Sequence, residues 1–389
     1  MAYISSNANR WYVSSESAYG QIPAIAPGSR IPAVKLTAQQ QRAQCQRLDK
    51  TGSRTWQGAP PGLRLQTSFQ MTSYMRDWAD TTTLPSHGPL IEAAMGAPGV
   101  LWPGNTAGTG STTTTVVFAT PHGLTPGQAI TSAGEIRFVA SVTDPSTVEL
   151  NAPFSFAPAL NAPIGQTATY SLAEQLPSVT VFDYWDPATT VQRILSGAAV
   201  DVMTVKLNSC FHQFEFKGPA QDLVDSSSFL EGQGGQTAFP AEPALDGFTY
   251  LPVPGNLGQV WLGVSPNQFF SVSDASIQIK NDLDTRSKEF GTSLPLAIVP
   301  GTRSVGVTLQ LFGQDDQATI ALYQAARQQS PVAMMFQLGQ VPGQLLGIWL
   351  KSLVPDVPQF DDSDRRLQWK FTDTRAQGTA SDEIVVAFG

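Results

Sequence analysis

Short runs of alternating apolar and polar positions dominate this chain. Val305, Val307, Leu309 and Leu311 alternate with Gly306, Thr308 and Gln310, the period of a strand with one buried face. Leu65, Thr67, Phe69 and Met71 repeat the pattern, as do Leu367, Trp369 and Phe371 and the final run from Ile384 to Phe388. The 33 glycines and 29 prolines punctuate the whole length, so the runs between them are too short for long helices and read as strands joined by turns. One helix stands out. It begins after Gly313, where Asp315 and Asp316 meet the positive end of a helix dipole. Ala318, Ala321, Leu322 and Ala325 then form a narrow apolar stripe until Ser330-Pro331 stops it. A shorter helix is predicted from Pro89 through Leu90, Ile91, Ala93 and Ala94.

The second half echoes the first. Phe211-His212-Gln213-Phe214-Glu215-Phe216, with Ala220-Gln221 after it, matches Arg366-Leu367-Gln368-Trp369-Lys370-Phe371, with Ala376-Gln377 after it. The strand at Leu65–Met71 precedes its helix as the strand at Val305–Leu311 precedes the better one, so an internal duplication is expected. The stretch opened by Thr106-Ala107-Gly108-Thr109-Gly110-Ser111 and the following Thr run has another character. It reads as a flexible entry to four short strands at Val116–Phe118, Gln128–Ile130, Ile136–Val142 and Thr147–Leu150, with turns at Pro121-His122-Gly123, Pro126-Gly127 and Asp144-Pro145-Ser146. The expected organisation is a discontinuous first domain over 1–110 and 169–235, a small inserted β domain over 111–168, and a second domain over 236–389. Lengthening a loop costs only about 0.6 kcal/mol per doubling, so a host domain can carry such an insert.

Composition changes the picture in two ways. Only 14% of residues are charged, so much of the polar surface is Ser, Thr, Gln and Asn, a surface suited to packing against copies of itself. The formal net charge is −8, which argues against tight nucleic-acid binding, since that needs clustered Lys and Arg. Cys45 and Cys210 are the only cysteines; they make no disulfide framework and no metal spacing. No run approaches a membrane span, and the opening Met-Ala-Tyr-Ile-Ser-Ser-Asn lacks a basic segment followed by an apolar one. A soluble cytoplasmic species is the expectation.

The chemistry-bearing residues form no catalytic pattern. His87, His122 and His212 are scattered, with His122 read as a turn former and His212 as lying on the outer face of a strand whose inner face is Phe211, Phe214 or Phe216. Neither a nucleophile elbow nor a phosphate loop occurs, so no enzymatic activity and no cofactor is expected. Asp361, Asp362 and Asp364, and Asp382 with Glu383, lack the glycine and distal Glu of a calcium loop. They read instead as solvated carboxylates near Arg303, Arg365, Arg366 and Arg375, suited to ion pairs between neighbouring copies.

At the C-terminus the stretch Phe360-Asp361-Asp362-Ser363-Asp364-Arg365-Arg366-Leu367-Gln368-Trp369-Lys370-Phe371, then Arg375-Ala376-Gln377-Gly378, then Asp382-Glu383-Ile384 and Ala387-Phe388-Gly389, resembles the closing segment of the tail tube proteins of long, non-contractile-tailed phages. Pro300-Gly301-Thr302-Arg303 and the Asp315 helix fit the same order. Ser15-Glu16-Ser17-Ala18-Tyr19-Gly20 is similar to the family's opening, and Pro121-His122-Gly123-Leu124 to a turn of small β modules on tail proteins. The resemblance covers the second half well and the first half loosely. It implies a mainly β fold of tube-type sandwich or barrel domains, each with a flanking helix, duplicated and carrying the inserted module. It further implies self-assembly into a trimeric ring of pseudo-sixfold symmetry or a hexameric ring, stacked into a virion tail tube on a tape-measure protein and closed by a tail terminator. DNA would pass through the lumen without specific binding, along a wall of uncharged polar and acidic side chains. Asp361, Asp362, Asp364, Arg365, Arg366, Asp382 and Glu383 are then the expected lumen or inter-ring contacts. The rival readings are another tail part (terminator, tip or head-tail joining protein) and a carbohydrate-binding β-sandwich, the latter suggested by eight tryptophans.

Overall fold

Alternation becomes structure in a single long antiparallel run. The computed structural model describes residues 3–42, 49–55, 58, 63–78, 80–245, 251–263, 267–269, 271–363 and 365–389; Cys45 and Asp364 lie outside them. The chain is mainly β, 45% strand and 7% helical, and a half-barrel is present. Eight strands lie side by side in the order Ala33–Arg42, Leu65–Tyr74, Gln213–Ala220, Val202–Leu207, Val272–Lys280, Ser304–Phe312, Gln368–Ala376 and Gln359–Asp361.

The run is made of two sets of four strands joined between Val202–Leu207 and Val272–Lys280. Within each set the spatial order, read from the first strand, is first, second, fourth, third in the chain. A bulge falls between Ala33 and Lys35 in one set and between Val272 and Asp274 in the other. Each set is backed by a second layer of strands, a separate sheet behind the first and, behind the second, the continuation of the same sheet, which folds back where Leu353 and Val354 pair with Ala376 and Arg375. Asn9–Ser15, Val179–Trp185, Arg193–Ala198 and Asp222–Asp225 pair in that order behind the first. Gly258–Gly263, Val332–Leu338, Leu346–Val354 and Val385–Phe388 pair in that order behind the second. One continuous core holds the layers together. Phe69, Met71, Phe214 and Phe216 meet Val13, Val181 and Leu195 in it, and Ile277, Leu309 and Phe371 meet Phe336, Ile348 and Leu350. Each such side chain contributes roughly 1.5–3 kcal/mol by leaving water.

Both helices form where their signals lie. Gly88–Met95 carries a proline in its first turn and buries Leu90, Ile91, Ala93 and Ala94. Gln317–Gln328 is capped by the Asp316 carboxylate, which accepts from Thr319 N–H at 2.7 Å. Its buried face is Thr319, Leu322, Ala325 and Ala326, and Ala321 points to solvent. The expected stripe was therefore rotated by part of a turn, because alanine at every third or fourth position fits more than one face.

The stretch 115–150 forms four strands, Thr115–Val117, Ala129–Ser132, Glu135–Asp144 and Thr147–Leu150, ordered first, fourth, third, second. Val116, Phe118, Ile130, Val139 and Val148 make their own core with Trp102. The entry is tied rather than loose: Gly108 N–H donates to Val117 O at 2.7 Å, and the Ser111 and Thr112 hydroxyls accept from Val117 and Thr115 N–H. Ala129, Ile136 and Phe138 pack on Trp261, Met335, Trp349, Val385 and Ala387, the outer face of the second backing sheet. That is why the final strand does not alternate: Val386 and Phe388 face the main core while Val385 and Ala387 face this module.

Candidate functional site

The eight-strand run has two faces of opposite chemistry. Toward the core, most alternate residues are apolar, with Thr67, Ser73 and Thr374 as buried polar exceptions. The other face carries Lys35, Thr37 and Gln39 on the first strand, then Gln66, Ser68, Gln70 and Thr72 on the second, none of them buried. Gln213, Glu215 and Lys217 continue it, followed by Thr204 and Lys206, then Asp274, Ser276, Gln278 and Lys280, and finally Thr308, Gln310, Gln368 and Lys370. Hydrogen bonds cross the strands on this face. Gln70 Nε2 donates to Glu215 Oε1 at 2.7 Å, and Lys206 Nζ pairs with Glu215 Oε2 at 3.0 Å. Gln278 Nε2 donates to Thr204 Oγ1 at 3.4 Å across the junction of the two sets. The face is a carpet of Gln, Ser and Thr sprinkled with lysine. Its lysines, Lys35, Lys206, Lys217, Lys280 and Lys370, outnumber the carboxylates Glu215, Asp274 and Asp361 described on it.

The run ends in two sheet edges, and an edge strand presents unpaired backbone donors and acceptors that invite another chain. Ala33–Arg42 closes one end and Gln359–Asp361 the other. At the second edge Phe360 stacks on Trp369 with centroids 5.4 Å apart, with Tyr323 of the longer helix 6.0 Å away, yet Phe360 remains 58% exposed. Asp361 pairs with Lys370 and accepts from Ser363 N–H at 3.0 Å. The lysine and the serine hold its carboxyl well below the usual carboxylate range.

The residues singled out from sequence fall in separate places. Asp362 is exposed beside Asp361. Arg365 is exposed in the following turn, and the Arg366 guanidinium lies 3.9 Å from the Phe312 ring centroid. Asp382 belongs elsewhere: it accepts from Thr379 N–H at 2.9 Å and Ala380 N–H at 3.3 Å, bonds that lower its pKa, and its carboxylate lies 3.6 Å from Lys351 Nζ. Glu383 sits 3.7 Å from Arg303 Nη1, while Arg303 Nη2 donates to Ala173 O at 2.6 Å.

Histidine placement corrects one expectation. His212 is buried on the same side as Phe214 and Phe216, with Nε2 2.9 Å from Leu257 O; strict alternation puts residues 212, 214 and 216 together and leaves Phe211 on the other side. His122 organises its turn by accepting from Leu124 N–H at 2.8 Å. His87 Nε2 lies 3.1 Å from Ser73 Oγ in full burial, and desolvation, helped by the Arg76 charge, lowers its pKa to about 3. Among the described residues no group of three or more His, Cys, Asp or Glu is arranged to hold a metal ion, and no helix is long and apolar enough to cross a membrane.

Sequence reasoning missed Arg137. This arginine is 0% exposed. Its guanidinium donates to Gln337 Oε1 at 2.7 Å, Pro153 O at 2.8 Å and Glu135 Oε1 at 3.2 Å, and lies 3.9 Å from the Trp261 ring centroid. Burial pushes its pKa down to about 10 against the pull of Glu135. The only signal in the chain was one cation interrupting the apolar positions of Glu135–Val139.

No protein-family model and no curated protein matches the chain in sequence.

Proposed function

We propose that this chain is the subunit of a hollow structural tube, of the kind formed by phage tail tube proteins, in which copies join edge to edge and the polar face of the eight-strand run lines a conduit for DNA. The observation that carries this reading is the doubled four-strand set. The same strand order, the same bulge position and a repeated backing sheet support a duplicated unit, and the junction between the two sets supports repeats of this unit joining side by side. A run that ends in two exposed edges satisfies its backbone groups by closing on sister copies. Three chains would supply six repeats.

On this reading the lining is mainly uncharged polar side chains, with lysines more numerous than acids. Uncharged amides and hydroxyls offer water-like contacts to a passing duplex, and the lysines are partly neutralised by Glu215, Asp282 and Asp361 and screened over about 8 Å at physiological ionic strength. The inserted module packs on the outer face of a backing sheet, which keeps it away from the lining. Of the eight tryptophans that suggest the glycan-binding alternative, Trp78, Trp102, Trp261 and Trp349 are buried and present no stacking platform.

Negative-stain microscopy of the purified, concentrated chain tests the proposal. Rings or tubes with a central hole are expected. A chain that stays monomeric at millimolar concentration and across ionic strengths overturns it.

A further inference from the structure

The junction inside one chain prescribes how two chains join. Trp369 lies opposite Leu311 in the second set as Phe214 lies opposite Ser73 in the first, and Phe360 faces Trp369 as Val205 faces Phe214. Phe360 is therefore the counterpart of Val205, and Asp361 of Lys206. On the other edge, the matching bulges make Leu36 the counterpart of Ala275 and Ala38 that of Ile277.

Within the chain, Val205 pairs with Ile277, Lys206 with Ser276 and Thr204 with Gln278. Resting on the tube reading, we propose that the edge Gln359–Asp361 of one copy pairs antiparallel with the edge Ala33–Arg42 of the next in the transferred register: Phe360 opposite Ala38, Asp361 opposite Thr37, Gln359 opposite Gln39. Side-chain size supports it. Val205 is 2% exposed because Ile277 and the core cover it, whereas Phe360, at the same position, is 58% exposed. A phenylalanine opposite an alanine fills the space that a valine and an isoleucine fill inside the chain. Charge supports it as well. Lys35 stands two positions from Thr37 on the polar face, diagonal to Asp361, and such cross-strand diagonals are within reach of long side chains.

The test is cross-linking in a Cys45→Ser, Cys210→Ser background. Facing positions in an antiparallel ladder lie about 4.5–5.5 Å apart between Cα atoms, within disulfide reach. With Asp361→Cys and Thr37→Cys together, oxidation of the assembled protein is expected to convert most of the chain into covalent oligomers ending at the ring number. The single variants and the off-face pair Asp361→Cys with Gln40→Cys stay at least tenfold less cross-linked. Hydrogen exchange on the unaltered protein gives a readout that needs no variant: amides in 34–42 and 359–361 slow on assembly. Rings seen by microscopy without cross-links, or without slowed exchange at these edges, overturn the proposed register and leave the tube reading standing. Absence of rings, cross-links and protection together removes both.

Discussion

Arg137 is a cation with no water to share, and its environment shows what a single residue can commit a fold to. Desolvating an ion costs several kcal/mol unless its donors are met. Here Glu135, Gln337, the Pro153 carbonyl and the Trp261 ring meet them. Arg137→Ala removes the donors and leaves the buried Glu135 carboxylate without its countercharge, so a loss of about 3 kcal/mol is expected from urea unfolding, in the range for breaking a buried pair. Arg137→Met, apolar and of similar length, should recover more than half of that loss. Equal losses for the two variants would mean that the guanidinium is not what organises the site. The buried histidines give a second residue-level expectation. Burial lowers the pKa of both His87 and His212, so between the ordinary value near 6.5 and the depressed one the unfolded chain binds the proton and the folded chain does not. Stability is then unaffected above about pH 6.5 and falls as pH drops, by up to about 1.4 kcal/mol per pH unit for His87. Melting temperatures of His87→Gln, measured from pH 7 to pH 4.5, should fall less steeply than those of the unaltered protein. Parallel curves would refute the assignment.

At the scale of elements, what the sequence made legible was parity. Leu65–Tyr74 and Ser304–Phe312 each bury one face and wet the other, and a period of two reports that directly. Val179–Trp185 is buried at nearly every position, because it lies between the main core and a second cluster of Tyr12, Phe182, Tyr184 and Ile194 covered by Ile22, Phe229 and Phe239. A strand packed on both sides has no alternation to read, so it escaped notice, as did Arg193–Ala198. Parity also gives no partner. Nothing in Gln359–Asp361 marks it as an edge, and nothing in Glu135–Asp144 says which sheet it covers. The inserted strands were legible as strands, while their role as a lid on Trp261, Met335 and Trp349 was not. That role makes a prediction. Thr106 pairs with Pro163, so excising 107–162 with a two-glycine bridge closes the gap without stretching the host. If the module were a free decoration, the shortened chain would remain monodisperse. Because it covers the second backing sheet, the shortened chain is expected to bind the hydrophobic dye ANS and to aggregate, with light scattering as the measure.

For the whole molecule, charge and topology pull in different directions, and the open face decides between them. The formal charge is −8, yet the eight-strand face carries more lysines than carboxylates, so the acidic residues lie mostly on other surfaces. On the tube reading, a conduit for DNA must neither bind the duplex firmly nor exclude it. Scattered lysines meet that condition through salt: each phosphate contact contributes a slope of about −0.9 in log affinity against log salt, so a handful of contacts vanishes between 50 and 200 mM. Replacing Lys206, Lys217 and Lys280 with glutamine should therefore leave ring formation unchanged and flatten the salt dependence of DNA retention by assembled tubes, measured by co-sedimentation with short duplexes. Retention at 50 mM salt is expected to drop at least tenfold in the triple variant, and at 200 mM neither protein should retain DNA. Salt-resistant retention by the unaltered tubes would point to specific recognition, and this face would then be a binding surface instead of a passage. Unchanged retention at low salt in the variant would place the contacts on another surface, and the polar face would lose its claim to be the lining.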